Sequence, residues 1–183
     1  MTRVVPDQKN KFETDELFRK LSRDSEIRFT GYRDRSHEER MQRFKSDCLD
    51  GKCSISFSGH GLNLVLYLGP QSKEKKTEPS KEFVDFEKES GKAHLKSNFL
   101  MNGVCVTFKG VIDLQRLDGT ACLEYDAVQG KLEDKVFRET IEQSRARMKE
   151  FEDHQRRIKL EPLGEGEINP SVFLNPDYHT IVN

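Results

Sequence analysis

A chain of 183 residues that is 34% apolar and 34% charged has material for one core and a tail, not for several domains. Its 31 Lys and Arg stand against 32 Asp and Glu, with no concentrated basic stripe, which disfavours a protein that grips DNA through its phosphates. No apolar run approaches the roughly 18 residues of a membrane span, and the first residues carry no apolar leader.

Arg3-Val4-Val5-Pro6-Asp7 reads as an extended arm, because Pro6 lacks an N–H and biases Val5 toward extended backbone. Asp7 is placed to cap a short helix. Thr14, with Asp15 and Glu16 behind it, marks a second helix start that is acidic at its positive end. Leu17, Phe18 and Leu21 give that helix one apolar face, and it fades near Asp24–Glu26. Ile27 to Thr30 alternates as a short strand, and Gly31 permits a bend. Ser36-His37-Glu38-Glu39 forms a capping box: Ser36 accepts from the Glu39 N–H, and Glu39 reaches back to the Ser36 N–H. The helix it opens carries Met41, Phe44 and Cys48 on one face and stops at Gly51.

Cys53 to Phe57 and Leu62 to Leu68 are two strands around Ser58-Gly59-His60-Gly61. Leu62, Leu64 and Leu66 fall on one side of the second strand; Asn63, Val65 and Tyr67 fall on the other, which cannot be purely core. Gly69 to Ser80 is a charged, flexible loop with Pro70 and Pro79. Phe83 and Phe86 sit in a segment of mixed character that Gly91 ends. Ala93 to Ser97 is a strand, followed by Phe99-Leu100-Met101.

The chain is organised around Leu100 to Asp126, its longest apolar, strand-forming stretch. Asn102-Gly103 predicts a type I′ hairpin turn, which needs positive φ at both central residues, and Asp118-Gly119 predicts a second turn. From about Leu132 the pattern becomes helical. Phe137, Ile141, Met148, Phe151 and Ile158 form a heptad-like stripe interrupted by Ser144 and Gln155. Residues 161–183 contain three prolines and several acids but no Lys or Arg, and read as a flexible acidic tail with one apolar island at Val172-Phe173-Leu174. The expected domain is 1–160, with 151–160 the projecting end of the last helix.

Cys48, Cys53, Cys105 and Cys122 lack C-x-x-C spacing and are expected to be reduced thiols of an intracellular protein, without a zinc site. No P-loop, Gly-rich dinucleotide fingerprint, H-E-x-x-H or G-x-S-x-G occurs. A Cys105–His94 dyad is weaker than the reading of Cys105 as a buried structural thiol. Asp113, Asp118, Glu124 and Asp126 read as turn and surface groups rather than paired acids. No cofactor, metal or catalytic set is expected. Asn63 and Asn102 are amides able to pair with a partner's backbone; spacing alone leaves Asn102 either a hairpin residue or an interface residue.

Six segments carry a resemblance: RVVPDQ at Arg3–Gln8, LFRKLSR at Leu17–Arg23, HEER at His37–Arg40, NGVCV at Asn102–Val106, IDLQRLDG at Ile112–Gly119 and EFED at Glu150–Asp153. In these segments and their order, the chain resembles the core-binding factor β family, over roughly residues 1–155. The resemblance implies an α+β fold: a partly open, mostly antiparallel β-barrel with helices packed around it and a long C-terminal helix. It implies no enzyme, but a regulatory subunit that does not touch DNA itself, heterodimerises with a Runt-domain transcription factor, and allosterically raises its DNA affinity and stability. A nuclear location, with a cytoplasmic pool when unbound, goes with that role. Carried over by position, the partner surface centres on Gly61, Asn63, Leu64, Met101 and Asn102, with Arg3, Tyr67, His94 and Lys96 around it. The chain departs from relatives at Tyr67, where Gln is usual, at His94, where an aromatic is usual, and at Leu62, where a small polar residue is usual. It also lacks tryptophans near Phe108 and Val111. This pattern points to an invertebrate member. The alternative function is a scaffold or adaptor working through the C-terminal helix.

Overall fold

A computed structural model describes residues 3–69 and 79–161 of the chain. Most of the expected loop at Gly69–Ser80 and all of the expected tail after Glu161 lie outside the described residues.

The arm comes first, then α1 (Gln8–Thr14), α2 (Glu16–Leu21), β1 (Ser25–Phe29) and α3 (His37–Leu49). Asp7 caps α1 by accepting from the Asn10 N–H at 3.1 Å. α2 is capped by Asp15, one residue later than the Thr14 signal: its carboxylate accepts from the Leu17 and Phe18 N–H groups. Ser36 caps α3 through the Glu39 N–H at 3.2 Å, while the Glu39 carboxylate reaches forward to Arg43 at 2.9 Å instead of back. Gly51, at φ 79°, ends that helix as expected.

The strands β2 (Lys52–Phe57), β3 (Leu62–Tyr67), β4 (Val84–Asp85), β5 (Lys92–Met101), β6 (Val104–Asp113) and β7 (Asp118–Tyr125) join β1 in one sheet, ordered β3-β2-β1-β7-β6-β5-β4. Every pairing in it is antiparallel. Strand twist curls this sheet toward closure. Its first and sixth strands in that order, β3 and β5, meet where the Ser97 hydroxyl donates to the Tyr67 carbonyl at 2.8 Å. The architecture is the expected α+β half-barrel. Phe18 and Leu21 of α2, Phe44 of α3, and the inward residues Ile27, Ile55, Phe57, Leu66, Phe108 and Leu123 fill it. Phe57 and Phe108 meet edge to face at 5.9 Å, as do Phe29 and Phe44 at 5.0 Å.

Two expectations change. Asp118-Gly119 is not a turn but the start of β7. The turn lies at residues 114–117, with Leu117 buried at φ 60°, and Ile112 pairs with Gly119. The last helix, α4 (Ala127–Leu160), begins five residues before Leu132. Asp126 caps it by accepting from the Gln129 N–H at 2.9 Å. The chain divides into two compact units after Glu139. The first holds the sheet, α1–α3 and the opening turns of α4. The second contains the distal part of α4, where Met148, Phe151 and Ile158 are exposed. Among the described residues, no helix is long and apolar enough to cross a membrane.

Candidate partner-docking face

The β5–β6 hairpin closes on Asn102-Gly103, and both residues have positive φ, 48° and 81°. This is the conformation that Asn-Gly predicts for a type I′ turn. The Asn102 residue is exposed, whereas Met101 beside it packs partly against the core.

The tip does not stand free. The Val5 N–H donates to the Gly103 carbonyl at 2.9 Å, and Lys11 Nζ donates to the Asn102 carbonyl at 2.8 Å. The arm lies so close that a Cβ on Gly103 would meet Val5 Cγ1 at 2.7 Å. Gly103 is thus required twice, for its φ and for its contact. The arm is held in turn by Gln8, whose amide bridges β6 and α4.

On the β2–β3 hairpin, Gly61 adopts φ 63°, and a Cβ placed there would meet nothing within 4 Å. Its glycine is a demand of backbone conformation, and the space beside it is open. The alternation expected for β3 is present: Leu62 and Leu64 pack against the core and Leu66 is buried, while Asn63, Val65 and Tyr67 face outward. Val65 is 48% and Tyr67 54% exposed, which makes this an apolar-rimmed outer face on an edge strand.

Strand direction relates the two hairpins. Across the sheet order β3 and β5 run in opposite senses, and the Ser97–Tyr67 bond joins them. Counting four residues from that bond along each strand, about 13 Å, brings Asn63 level with Met101. Gly61 then lies at the height of the Asn102–Gly103 tip. The same count spreads the outer residues along the seam. Arg3, exposed and two residues before Val5, lines a cavity with Asn98, Leu100, Cys105 and Asp126, back from the tip, and Tyr67 stands at the bond itself. Lys96 is six and His94 eight residues from Asn102 along β5, or about 20 and 26 Å.

The structure therefore brings Gly61, Asn63, Leu64, Met101 and Asn102 toward one end of the seam and separates Arg3, His94 and Lys96 from it. Lys96 is also otherwise engaged, whereas the buried His94 Nε2 has no hydrogen-bond partner among the described residues. Lys96 Nζ reaches Glu82 at 2.6 Å and lies 5.9 Å from the Phe83 ring centre. His94 Nε2 lies 3.5 Å from Glu89, whose carboxyl is held below its usual range chiefly by Lys92 and also by His94.

Sequence reasoning missed the back of the tip. Asp7 and Pro6 marked a cap and an arm, but Lys11 carries no local signal, and its contact spans 91 positions. The carboxylates resolve into structural groups. Asp113 accepts from the Arg116 and Gln115 N–H groups, which hold it below the usual carboxylate range. Asp118 pairs with Arg116 and Glu124 with Lys109. Cys105 pairs with Leu100 and His94 with Val111, so six residues of β5, about 20 Å, separate the imagined dyad. Burial first, then nearby carboxylates, push the Cys105 thiol up to about 11, where it is not a thiolate at neutral pH. Among the described residues, no cluster of His, Cys, Asp or Glu is arranged to hold a metal.

Comparison with known proteins covers nearly all of this framework. The family model described as core binding factor beta subunit matches residues 1–163. Over 160 residues the chain is 53% identical to Protein big brother of Drosophila melanogaster, covering 85% of this chain and 72% of that protein. Over 150 residues it is 51% identical to Protein brother of the same organism, covering 82% and 69%.

Proposed function

The chain belongs to the core binding factor beta subunit family, and from that premise we propose that it is the non-catalytic subunit of a heterodimeric transcription factor, docking onto a Runt domain through residues of its 1–160 domain. The observation that carries the reading is the exposed Asn102 amide on a turn clamped from behind, level with the open space at Gly61. A rigid, exposed amide offers two donors and an acceptor to a partner's backbone at little ordering cost. Leu64 and Met101 supply apolar contact beside it, and Asn63 a second amide. Arg3 and Tyr67 form the rim, and Lys96 and His94 engage where the partner extends along β5.

The subunit does not contact DNA. It binds the DNA-competent form of the Runt domain better than other forms, so linkage requires that the pair bind DNA more tightly; such coupling is typically about 1–3 kcal/mol. The same preference depletes unfolded Runt domain. The bound subunit is nuclear, and the free pool is cytoplasmic.

Asn102→Ala is expected to weaken Runt-domain binding by at least about 1 kcal/mol, with little loss of stability. Calorimetric titration of the purified pair checks this, and wild-type affinity in the variant refutes the assignment. A second reading, an adaptor acting through distal α4, draws on the exposure of Met148, Phe151 and Ile158. Partner capture that depends on Phe151 and Ile158 but not on Asn102 would favour it.

A further inference from the structure

We propose that Lys11 is a positioning residue for the docking tip: its bond to the Asn102 carbonyl holds the turn in the form that presents the Asn102 amide, and so sets partner affinity. The inference rests on the docking role of Asn102 given above.

Two consecutive carbonyls of the turn are claimed by the N-terminal segment, Asn102 by the Lys11 ammonium at 2.8 Å and Gly103 by the Val5 N–H at 2.9 Å. The Val5 bond is backbone to backbone, and every sequence with the arm in place makes it. The Lys11 bond depends on one side chain. Among the described residues Lys11 forms no ion pair, so its charge is not committed to a neighbouring carboxylate. A bond from an ammonium is stronger than one between neutral groups.

The turn needs such a hold. Asn-Gly satisfies the type I′ turn seen here, with φ 48° at Asn102 and 81° at Gly103. It also satisfies a type II turn, in which only the glycine has positive φ. Asn102 in the left-handed region is the less favoured state for a residue with a Cβ. Returning it to negative φ would re-aim both its carbonyl and its side chain. Lys11 bonds the carbonyl as it stands in the observed turn, so it stabilises that turn against the alternative. Binding then does not have to reorganise the tip, and affinity rises without a new contact to the partner.

The bland account is that Lys11, in the last turn of α1, merely offsets that helix's negative end. That account predicts a change in stability and none in affinity. The two separate in a double-mutant cycle. Runt-domain affinity and thermal midpoint are measured for the full chain, K11M, K11R, N102A and K11M/N102A. K11M is expected to bind about three- to ten-fold more weakly, the size of one lost hydrogen bond, at an unchanged midpoint, with K11R close to the parent. In the N102A background K11M should make no further difference, because Lys11 acts through Asn102. Amide exchange at Val5, whose N–H donates to the Gly103 carbonyl, should quicken in free K11M. Parental affinity in K11M, or an equal loss with and without Asn102, overturns the positioning role alone. Parental affinity in N102A overturns the docking reading and this inference with it.

Discussion

Gln8 is the buried polar side chain on which three elements meet, and its amide is used in full. Nε2 donates to the Gly130 carbonyl at 3.1 Å and to Asp134 at 2.6 Å; Oε1 accepts from the Cys105 N–H at 2.9 Å. The Cys105 N–H needs this acceptor because β7 ends at Tyr125, opposite Val106, and offers no further ladder carbonyl there. A buried amide whose partners are all present is neutral to favourable; a partner left alone is expensive. Gln8→Ala is therefore expected to lose about 2 kcal/mol. Urea unfolding should show it as a lower midpoint at an unchanged slope, and an unchanged midpoint would contradict the bridge. Gln8 lay within the RVVPDQ segment that carried the resemblance, yet nothing local marked it as buried. Its three partners stand 97 to 126 positions away.

At the scale of elements, local signals located most helices and strands, and tertiary contact decided their ends. Asn102-Gly103 behaved as its backbone preferences require, since a hairpin tip meets little else. Asp118-Gly119 carries the same signal and is strand. A Cβ on Gly119 would run into the Val111 carbonyl and the Ile112 Cα, so glycine is needed there for the close approach of β6 and β7. The left-handed position fell instead on Leu117, whose side chain is buried. Burial of the leucine offsets a backbone cost of about 1–2 kcal/mol. Gly119→Ala is expected to destabilise the fold by about 2 kcal/mol or more. A thermal midpoint within a degree of the parent would show that the strands can part without loss. The start of α4 follows the same rule. Gly130, which interrupts a helical pattern in sequence, is inside the helix because the Tyr125 hydroxyl occupies the space a side chain would take.

At the scale of the molecule, the sheet curls until β5 reaches β3, and that curl brings two hairpins from distant parts of the chain to one end of a seam. The face proposed for docking has Asn63 and Asn102 at its centre, and the sequence carries no basic stripe, in keeping with the proposed action on DNA through a partner. The expected outcome of a gel-shift titration is no retardation by this chain alone and tighter retardation when it joins a Runt domain on one DNA site. Retardation by the chain unaided, or unaltered Runt affinity with the chain folded, would overturn the regulatory reading.

Taken alone, the sequence determined what depends on short range: helix caps at Asp7 and Ser36, the stop at Gly51, the two faces of β3, and a left-handed turn at Asn102-Gly103. Its ordered motifs also sufficed to recognise the family. What the tertiary structure decided is which of these lie together. His94 and Lys96 share the hairpin with Asn102 but stand far along it, while Lys11, unmarked in sequence, and Val5, marked only as part of an extended arm, hold the tip. The reason is that adjacency across a curled sheet is set by register and closure. These are summed over many strand pairs, and no window of neighbouring residues contains them.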